Sequence, residues 1–209
     1  DVKKLRGVVN VSSMDGDMTG NFSGSTENIS WEGKLPTEKI HITTLDFDPR
    51  VIGMMNIQLV EGQNFSGNYQ TDRLTVILNQ AAVEAMGIKN AVGKELKVWG
   101  ESHQIIGTTK NFHFESLYEK VKPCVIRSTR AGENILVKIK AGSERETIAS
   151  LGKLYSKYNL GIPFEYKFMD ETYQAMYQSE QRVAILFRYF AGVAIIISCL
   201  GLFGLAAFT

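Results

Sequence analysis

The sequence predicts an α+β fold, a mixed water-facing domain followed by one long helix, on three observations. Short runs of strand-type alternation, separated by Gly, Pro, Asn and Asp, recur between Val8 and Phe168. Helix signals are interleaved with them, the clearest being the small-residue run after Asn79 and the apolar repeat after Ser143. The chain then finishes in Tyr189 to Phe208, twenty residues without a charge, about what a helix needs to cross a hydrocarbon core of ~30 Å. A buried helix in a domain of this size is usually shorter and is not apolar on every face, so residues 189–208 read as a transmembrane helix.

Taken in order, the opening residues end a helical turn at Gly7 and lead to a strand over Val8 to Ser13. Asp15 to Gly24 is turn-rich and reads as an exposed loop or hairpin tip. Strands follow at Asn28 to Glu32 and Lys39 to Phe47, broken apart by Leu35-Pro36-Thr37-Glu38-Lys39. Asp48-Pro49 is a helix start, a capping residue ahead of Pro at the first helical position, and opens a short helix. A strand over Leu74 to Leu78 runs into Asn79, which caps the helix that Gly87 closes. Glu95 to Trp99 and His103 to Gly107 form a hairpin turning at Gly100-Glu101, and a further strand covers Lys122 to Ser128.

Ile135, Val137 and Ile139 alternate with Lys138 and Lys140 as a strand with one buried face. Ser143 and Glu146 have capping-box spacing, and Ile148, Leu151, Leu154, Tyr155 and Tyr158 keep a helical repeat. Phe164, Tyr166 and Phe168 then predict a second strand, completing a strand–helix–strand unit. Asp170 caps the last helix. Its stripe of Tyr173, Met176, Tyr177, Val183 and Phe187 marks a stalk over residues 171–188, continuous with the membrane helix as one rod of about 60 Å at ~1.5 Å per residue. Arg182, Arg188 and Tyr189 mark the membrane boundary, the arginines snorkelling and the aromatic ring at head-group depth. Ala194, Ser198, Gly201 and Leu205 follow helical spacing and form a narrow face on which another membrane helix can pack.

The net charge is +1 with acids and bases interspersed, so no basic stripe points to nucleic acid and no polybasic cluster to anionic lipid. The chain opens on Asp1 without a signal-peptide pattern and stops as the apolar run finishes, as an excised segment of a longer polypeptide does. The two cysteines, Cys124 and Cys199, lie in different environments and demand neither an oxidising nor a reducing compartment.

His41, His103 and His113 have no metal-ligand spacing, and Cys124 has no Cys or His at a zinc-like interval. No serine sits in a G-x-S-x-G elbow, and no phosphate loop or dinucleotide fingerprint occurs. The expectation is no catalytic residue, no metal and no cofactor, with any energy source on another chain or domain. Four Asn-x-Ser triplets, at Asn10, Asn21, Asn28 and Asn64, are read as chance in an Asn- and Ser-rich chain.

Five phrases in order resemble the MacB/FtsX-like ABC transporter permeases. Leu59, Gly62 and Phe65 resemble an L-x-x-G-x-x-F phrase, and Val76-Ile77-Leu78-Asn79-Gln80-Ala81-Ala82 a strand-to-helix phrase of the form VVLNEAA. Val92-Gly93-Lys94 resembles an xGK turn, and Ile105-Ile106-Gly107 and Lys110-Asn111-Phe112-His113 resemble two successive phrases that together read IIGVVKDFHF, with Asn111 where Asp is usual. The resemblance covers essentially the whole chain. It implies a two-lobed MacB-like periplasmic core: a porter-like lobe from residues 1–47 and 129–170, and an inserted mixed α/β lobe over 48–128. The stalk and membrane helix would follow.

It also implies a non-catalytic permease domain on the periplasmic side of a bacterial inner membrane, paired as a homodimer or pseudo-dimer. A cytoplasmic ABC ATPase would drive it, its motion passing through the stalk to export or to work on an adaptor, lipoprotein or other envelope partner. The alternative from another class is a singly anchored ligand-binding or sensor domain.

Overall fold

The computed structural model describes residues 1–16, 24–115, 119–130 and 132–208. Within the last helix, the side chains at 173, 175–182, 184, 201, 202 and 204–208 lie outside that description. Asp1–Glu165 is one compact unit and Tyr166–Thr209 a second.

After a single 3-10 turn at Val2–Lys4, the first unit contains strands β1 (Val8–Met14), β2 (Gly24–Thr26), β3 (Ile29–Trp31) and β4 (Ile42–Phe47), then α1 (Arg50–Met54) and β5 (Leu59–Gly62). It continues through α2 (Tyr69–Asp72), β6 (Thr75–Asn79), α3 (Gln80–Met86), β7 (Glu95–Val98), β8 (Glu101–Thr109), β9 (Cys124–Ser128), β10 (Asn134–Ile139) and α4 (Glu144–Tyr158). The strands join in the order β10-β1-β4-β9-β6-β8-β7-β3, with β2 added beside β4 and β5 beside β8.

That order forces the sheet to close. β2 pairs with β4 at one end of the run β4-β9-β6-β8-β7, and β3 pairs with β7 at the other. Laid flat, β2 and β3 would lie six strand spacings apart, about 29 Å. Yet only Glu27 and Asn28 separate them, and three Cα steps reach at most about 11 Å. The sheet must therefore curl until β2 and β3, a single bent strand, close it into a barrel.

Alternation sorts the barrel's residues. Ile29, Trp31, Ile42, Val76, Leu78, Leu96, Val98, Ile105 and Val125 cluster inside, joined by Ala82 and Met86 of α3, which follows β6 and plugs that end. Leu45, Ile126 and Ile77 are cross-strand neighbours of opposite parity and are also fully buried. The wall is covered on both faces, with α1 against β4 and α2 against β6 and β9.

β1 and β10 form an antiparallel pair that joins the barrel at β4 and α1: Met14 pairs in register with Phe47, the Asp15 N–H donates to the Asp46 carbonyl, the Asp48 N–H to the Ser13 carbonyl, and Lys138 to the Met54 carbonyl. Gly132 lies so close that a Cβ there would stand 2.4 Å from the Met14 backbone. Beside this pair the chain entrance runs along α4: the Thr147 hydroxyl donates to the Arg6 carbonyl and the Tyr158 hydroxyl to Asp1.

Several sequence expectations need correction. Residues 164–168 form no strand, so β10 and α4 are not followed by a partner strand; Phe164 instead packs on the Tyr155 ring and against Gly152. Ser143 does not close a capping box, because its hydroxyl donates backwards to the Lys140 carbonyl at 2.6 Å. The β7–β8 turn is centred on Trp99-Gly100, one residue earlier than expected. The helix opened by Pro49 stops at Met54, so that Leu59–Gly62, read as part of the same helical run, forms β5 instead, and α2 lies where no element was expected.

The second unit is α5 (Met169–Phe208), 40 residues without interruption. It starts one residue before the expected cap, so Asp170 lies in its first turn, and the Phe168 carbonyl accepts from both the backbone and the hydroxyl of Thr172. Among the described residues no helix is long and apolar enough to cross a membrane. The expected span 189–208 includes positions whose side chains lie outside that description.

Candidate functional site

Each of the five phrases resolves into a point where the backbone of the first unit needs a particular residue. Gly62 has φ +76°, and a Cβ there would meet the Ile106 carbonyl oxygen at 2.2 Å. Across the same crossing, a Cβ on Gly107 would lie 2.6 Å from the Gln63 carbonyl oxygen. The L-x-x-G-x-x-F and I-I-G phrases are thus the two sides of one close approach of β5 to β8, where only glycine fits, with Phe65 buried just beyond it. Gly93, at φ +90°, turns the chain so that its N–H donates to Ile105, whose own N–H returns to Lys94.

The other two phrases meet at α3. Asn79 is fully buried; its Oδ1 accepts from the N–H groups of Ala82 and Cys124 at 2.8 and 3.0 Å, and its Nδ2 donates to the Lys122 carbonyl at 2.8 Å. One side chain therefore caps α3 and fixes the start of β9. Asn111, from the last phrase, accepts from the Ala81 N–H at 2.8 Å. Either Asn or Asp can accept that bond, so the structure needs only a side-chain oxygen at this position.

Burial pushes the Cys124 thiol well above its ordinary range, so it is an inert packed group. Nearby, the Lys122 ammonium donates to the Glu115 and Glu119 carboxylates at 2.7 and 2.9 Å, and those bonds hold its pKa above the ordinary lysine value. His113 is exposed between Phe112 and Phe114, whose rings lie 5.6 Å apart. Among the described residues no group of three His, Cys, Asp or Glu side chains could hold a metal.

The barrel end opposite α3 holds a constellation that sequence reasoning missed. Asp46 and Arg127 are cross-strand partners on the inward parity of β4 and β9 and pair through two hydrogen bonds of 2.6 and 2.7 Å. The Trp99 ring covers the guanidinium with a centroid distance of 4.6 Å. Trp99 and Gly100 both have positive φ, +51° and +86°, as a type I′ hairpin turn requires. The first of these positions favours Asn, Asp or Gly, and a bulky residue in the left-handed region costs roughly 1–2 kcal/mol. Stacking on Arg127, together with the Trp99 N–H donated to the Asn28 carbonyl, offsets that strain and ties the turn to the strand that closes the barrel. A Trp-Gly pair where Asn-Gly would be usual was the one signal in the sequence.

Asp48 does cap α1, accepting from the Arg50 backbone N–H, the Arg50 guanidinium and the Ser12 hydroxyl. Burial alone would raise this carboxyl. The Arg50 bonds and charge, with the Ser12 bond, outweigh it and hold Asp48 below the usual carboxylate range.

Of the expected membrane-side residues, Arg188 and Tyr189 are exposed on α5, as are Val183 and Phe187. Ala194 and Ser198 share a face, the Ser198 hydroxyl donating to the Ala194 carbonyl at 2.8 Å. The side chains of Tyr173, Met176, Tyr177, Arg182, Gly201 and Leu205 lie outside the described residues.

No family model matches the sequence, and no curated protein matches it. Among solved structures, the chain is similar to the periplasmic region of MacB from Actinobacillus actinomycetemcomitans, with TM-score 0.55 and 14% identity over 75% of this chain and 70% of that one. It is also similar to the extracellular domain of the ABC-type transporter YknZ from Gram-positive bacteria, with TM-score 0.57 and 15% identity over 75% and 79%. The sheet-dominated mixed domain of this chain has the fold of the MacB-like extracytoplasmic domains.

Proposed function

We propose that this chain is the extracytoplasmic domain of an ABC transporter permease subunit, and that it transmits force rather than catalyses. The observation that carries the reading is α5, one helix of 40 residues, directly following a domain of the MacB-like fold. A helix of that length spans about 60 Å at ~1.5 Å per residue, and a continuous helix moves as a rod. Its apolar C-terminal half sits in the membrane, and its N-terminal half stands outside as the stalk. A cytoplasmic ABC ATPase supplies the motion, a second permease packs on the small-residue face containing Ala194 and Ser198, and an envelope partner receives the work on the far side.

We also propose two lobes that move with that rod, the barrel being one and the β1–β10 pair with α4 the other. Met14 with Phe47, Ser12 with Asp48 and Lys138 with Met54 lie where they meet.

The test inserts Gly-Pro at Gln178 in the full-length protein and compares its coupling with the native stalk, because Pro removes a helical hydrogen bond and clashes with the preceding turn. With the native stalk, the protein binds its ATPase and extracytoplasmic work follows hydrolysis. The insertion uncouples the two. If no ATPase associates and the break changes nothing, the reading fails, and a ligand-binding sensor replaces it.

A further inference from the structure

The exposed apolar surface of α5 begins earlier than the uncharged run. Val183, Ile185, Leu186 and Phe187 are 50–70% exposed, as fully as Ile195, Ile196 and Ile197 deep within that run. At about 100° per residue, Val183, Ile185, Leu186, Phe187, Tyr189 and Phe190 point in six directions covering roughly 200° of the helix. That is too wide for a stalk stripe packing along one seam and is the signature of a helix set in an apolar medium.

Residue size says which medium. Tight packing between membrane helices selects Gly, Ala and Ser, and these gather from Ala191 onward. The stretch from Val183 to Phe190 is bulky apart from Ala184 and includes one charge, Arg188. Large aliphatic and aromatic side chains on most sides, with a single cation, fit lipid rather than a partner helix. From Val183 to Phe208 the helix would measure about 39 Å, a hydrocarbon core of ~30 Å plus part of one interfacial layer.

Arg188 is compatible with that depth. Helical Cα–Cβ bonds tilt towards the helix N-terminus, which here is the watery side, and the residue four positions back is Ala184. The guanidinium can therefore rise about one turn, ~6 Å, over a small residue to reach the head groups.

We propose that α5 enters the bilayer at Val183 rather than Tyr189, and that Arg188 lies inside this zone with its guanidinium on lipid phosphate. The inference rests on the membrane reading of α5 above.

The test places spin labels at Gln178, Leu186 and Ile196, each alone on a Cys199→Ala background. The full-length protein is reconstituted in phosphatidylcholine–phosphatidylglycerol vesicles, and collisions with oxygen and with a water-soluble nickel chelate are measured. The inference expects nickel collisions at Leu186 about tenfold below those at Gln178, with high oxygen collisions, as at Ile196. Arg188→Leu should carry the Leu186 label deeper, and Arg188→Lys should hold it in place. If Leu186 is open to nickel while Ile196 is shielded, the entry point is Tyr189 and the inference is wrong, though the membrane reading stands. Shielding of Leu186 from both reagents means a protein contact and overturns the lipid assignment. No change in Arg188→Leu removes the anchoring role of Arg188. If Ile196 itself is open to nickel, α5 is not inserted, and both readings fail.

Discussion

Asn79→Ala tests whether one buried amide holds α3 and β9 together. The substitution deletes the cap on Ala82, worth about 1 kcal/mol. It also strands the Cys124 N–H and the Lys122 carbonyl, which lose bonds of 3.0 and 2.8 Å. A buried polar group left without a partner costs about 1–3 kcal/mol, so the cap and the two stranded groups together come to roughly 3–7 kcal/mol. The reporter is built in: Cys124 is fully buried, its thiol is raised by burial, and its N–H is one of the orphaned groups. Thiol labelling of Cys124 therefore requires opening of the β9 region. On a Cys199→Ala background, Asn79→Ala should accelerate native-state labelling by at least about a hundredfold, since ~1.4 kcal/mol is tenfold. Asn79→Asp keeps both accepted bonds and loses only the donated one, and should fall between. Acceleration by less than about tenfold in Asn79→Ala would sink the idea that this amide is the joint.

Four further outcomes follow from the same geometry. Gly62→Ala places a Cβ 2.2 Å from the Ile106 oxygen at a φ of +76°; the shift it forces should cost about 3 kcal/mol or more in urea unfolding, whereas Gly67→Ala, with nothing within 4 Å, should cost only its strain. Asn111→Asp adds a negative charge beside the first N–H groups of α3 and should leave stability unchanged or raise it by about 0.3–1 kcal/mol at low salt. Asp48 has a folded pKa below its unfolded value, so its contribution is fully present above an unfolded pKa of about 3.9 and is lost as pH falls through the lower folded value; Asp48→Asn should flatten acid unfolding in that window, measured by tryptophan fluorescence. Arg127→Met leaves the Asp46 carboxylate without its bidentate partner and the Trp99 indole without its support, and should destabilise by about 2–3 kcal/mol, with a red shift in emission as Trp99 becomes more solvated; Trp99→Asn, relieving the left-handed strain, should cost less than about 1 kcal/mol.

Much of this fold is legible because local signals agree with the final environment. The Asn79 cap and the Gly87 stop are each decided within a few residues, whereas the alternation of Ile135, Val137 and Ile139 foretold a strand but not its buried face, since Ile135 is 65% exposed and the other two are only half-buried. β5 and α2 escaped because every β5 residue is exposed and α2 is a single turn of four residues, so neither carries an amphipathic pattern. α2 is held instead by Asp72, a buried carboxylate that accepts from the backbone and hydroxyl of Ser66 and the backbone of Gly67. Residues 164–168 misled because alternation of Phe164, Tyr166 and Phe168 is equally satisfied by ring contacts: Phe164 with Tyr155, and Tyr166 edge-on to Phe168 at 5.7 Å. Barrel closure was out of reach, since it follows from β2 and β3 being neighbours in sequence and opposite edges in pairing, which no local window contains. The Asp46–Arg127–Trp99 group joins residues more than 80 apart at its widest, and for the same reason only the odd Trp-Gly turn announced it.

What the five phrases do sets where function has to be sought. Each fixes a glycine at a close backbone approach or a positive-φ turn, or a polar side chain on a helix end, and all of them lie within the barrel and its plugging helix. Such residues determine whether this domain forms, and they would be needed equally by domains that meet quite different partners. Differences in partner must then reside on surfaces the phrases leave free. The strongest of these in the first unit is the turn after α4, where Leu160 is 88% exposed and Ile162 57%, while Asn159 bonds back to Tyr155 and holds the turn in shape. In the second unit it is α5, whose apolar surface needs no phrase to specify it. A variant that keeps the five phrases, Tyr158, Asn159 and Gly161 and exchanges only Leu160 and Ile162 should therefore fold with unchanged stability, and whichever partner binding it alters identifies that turn as a contact surface.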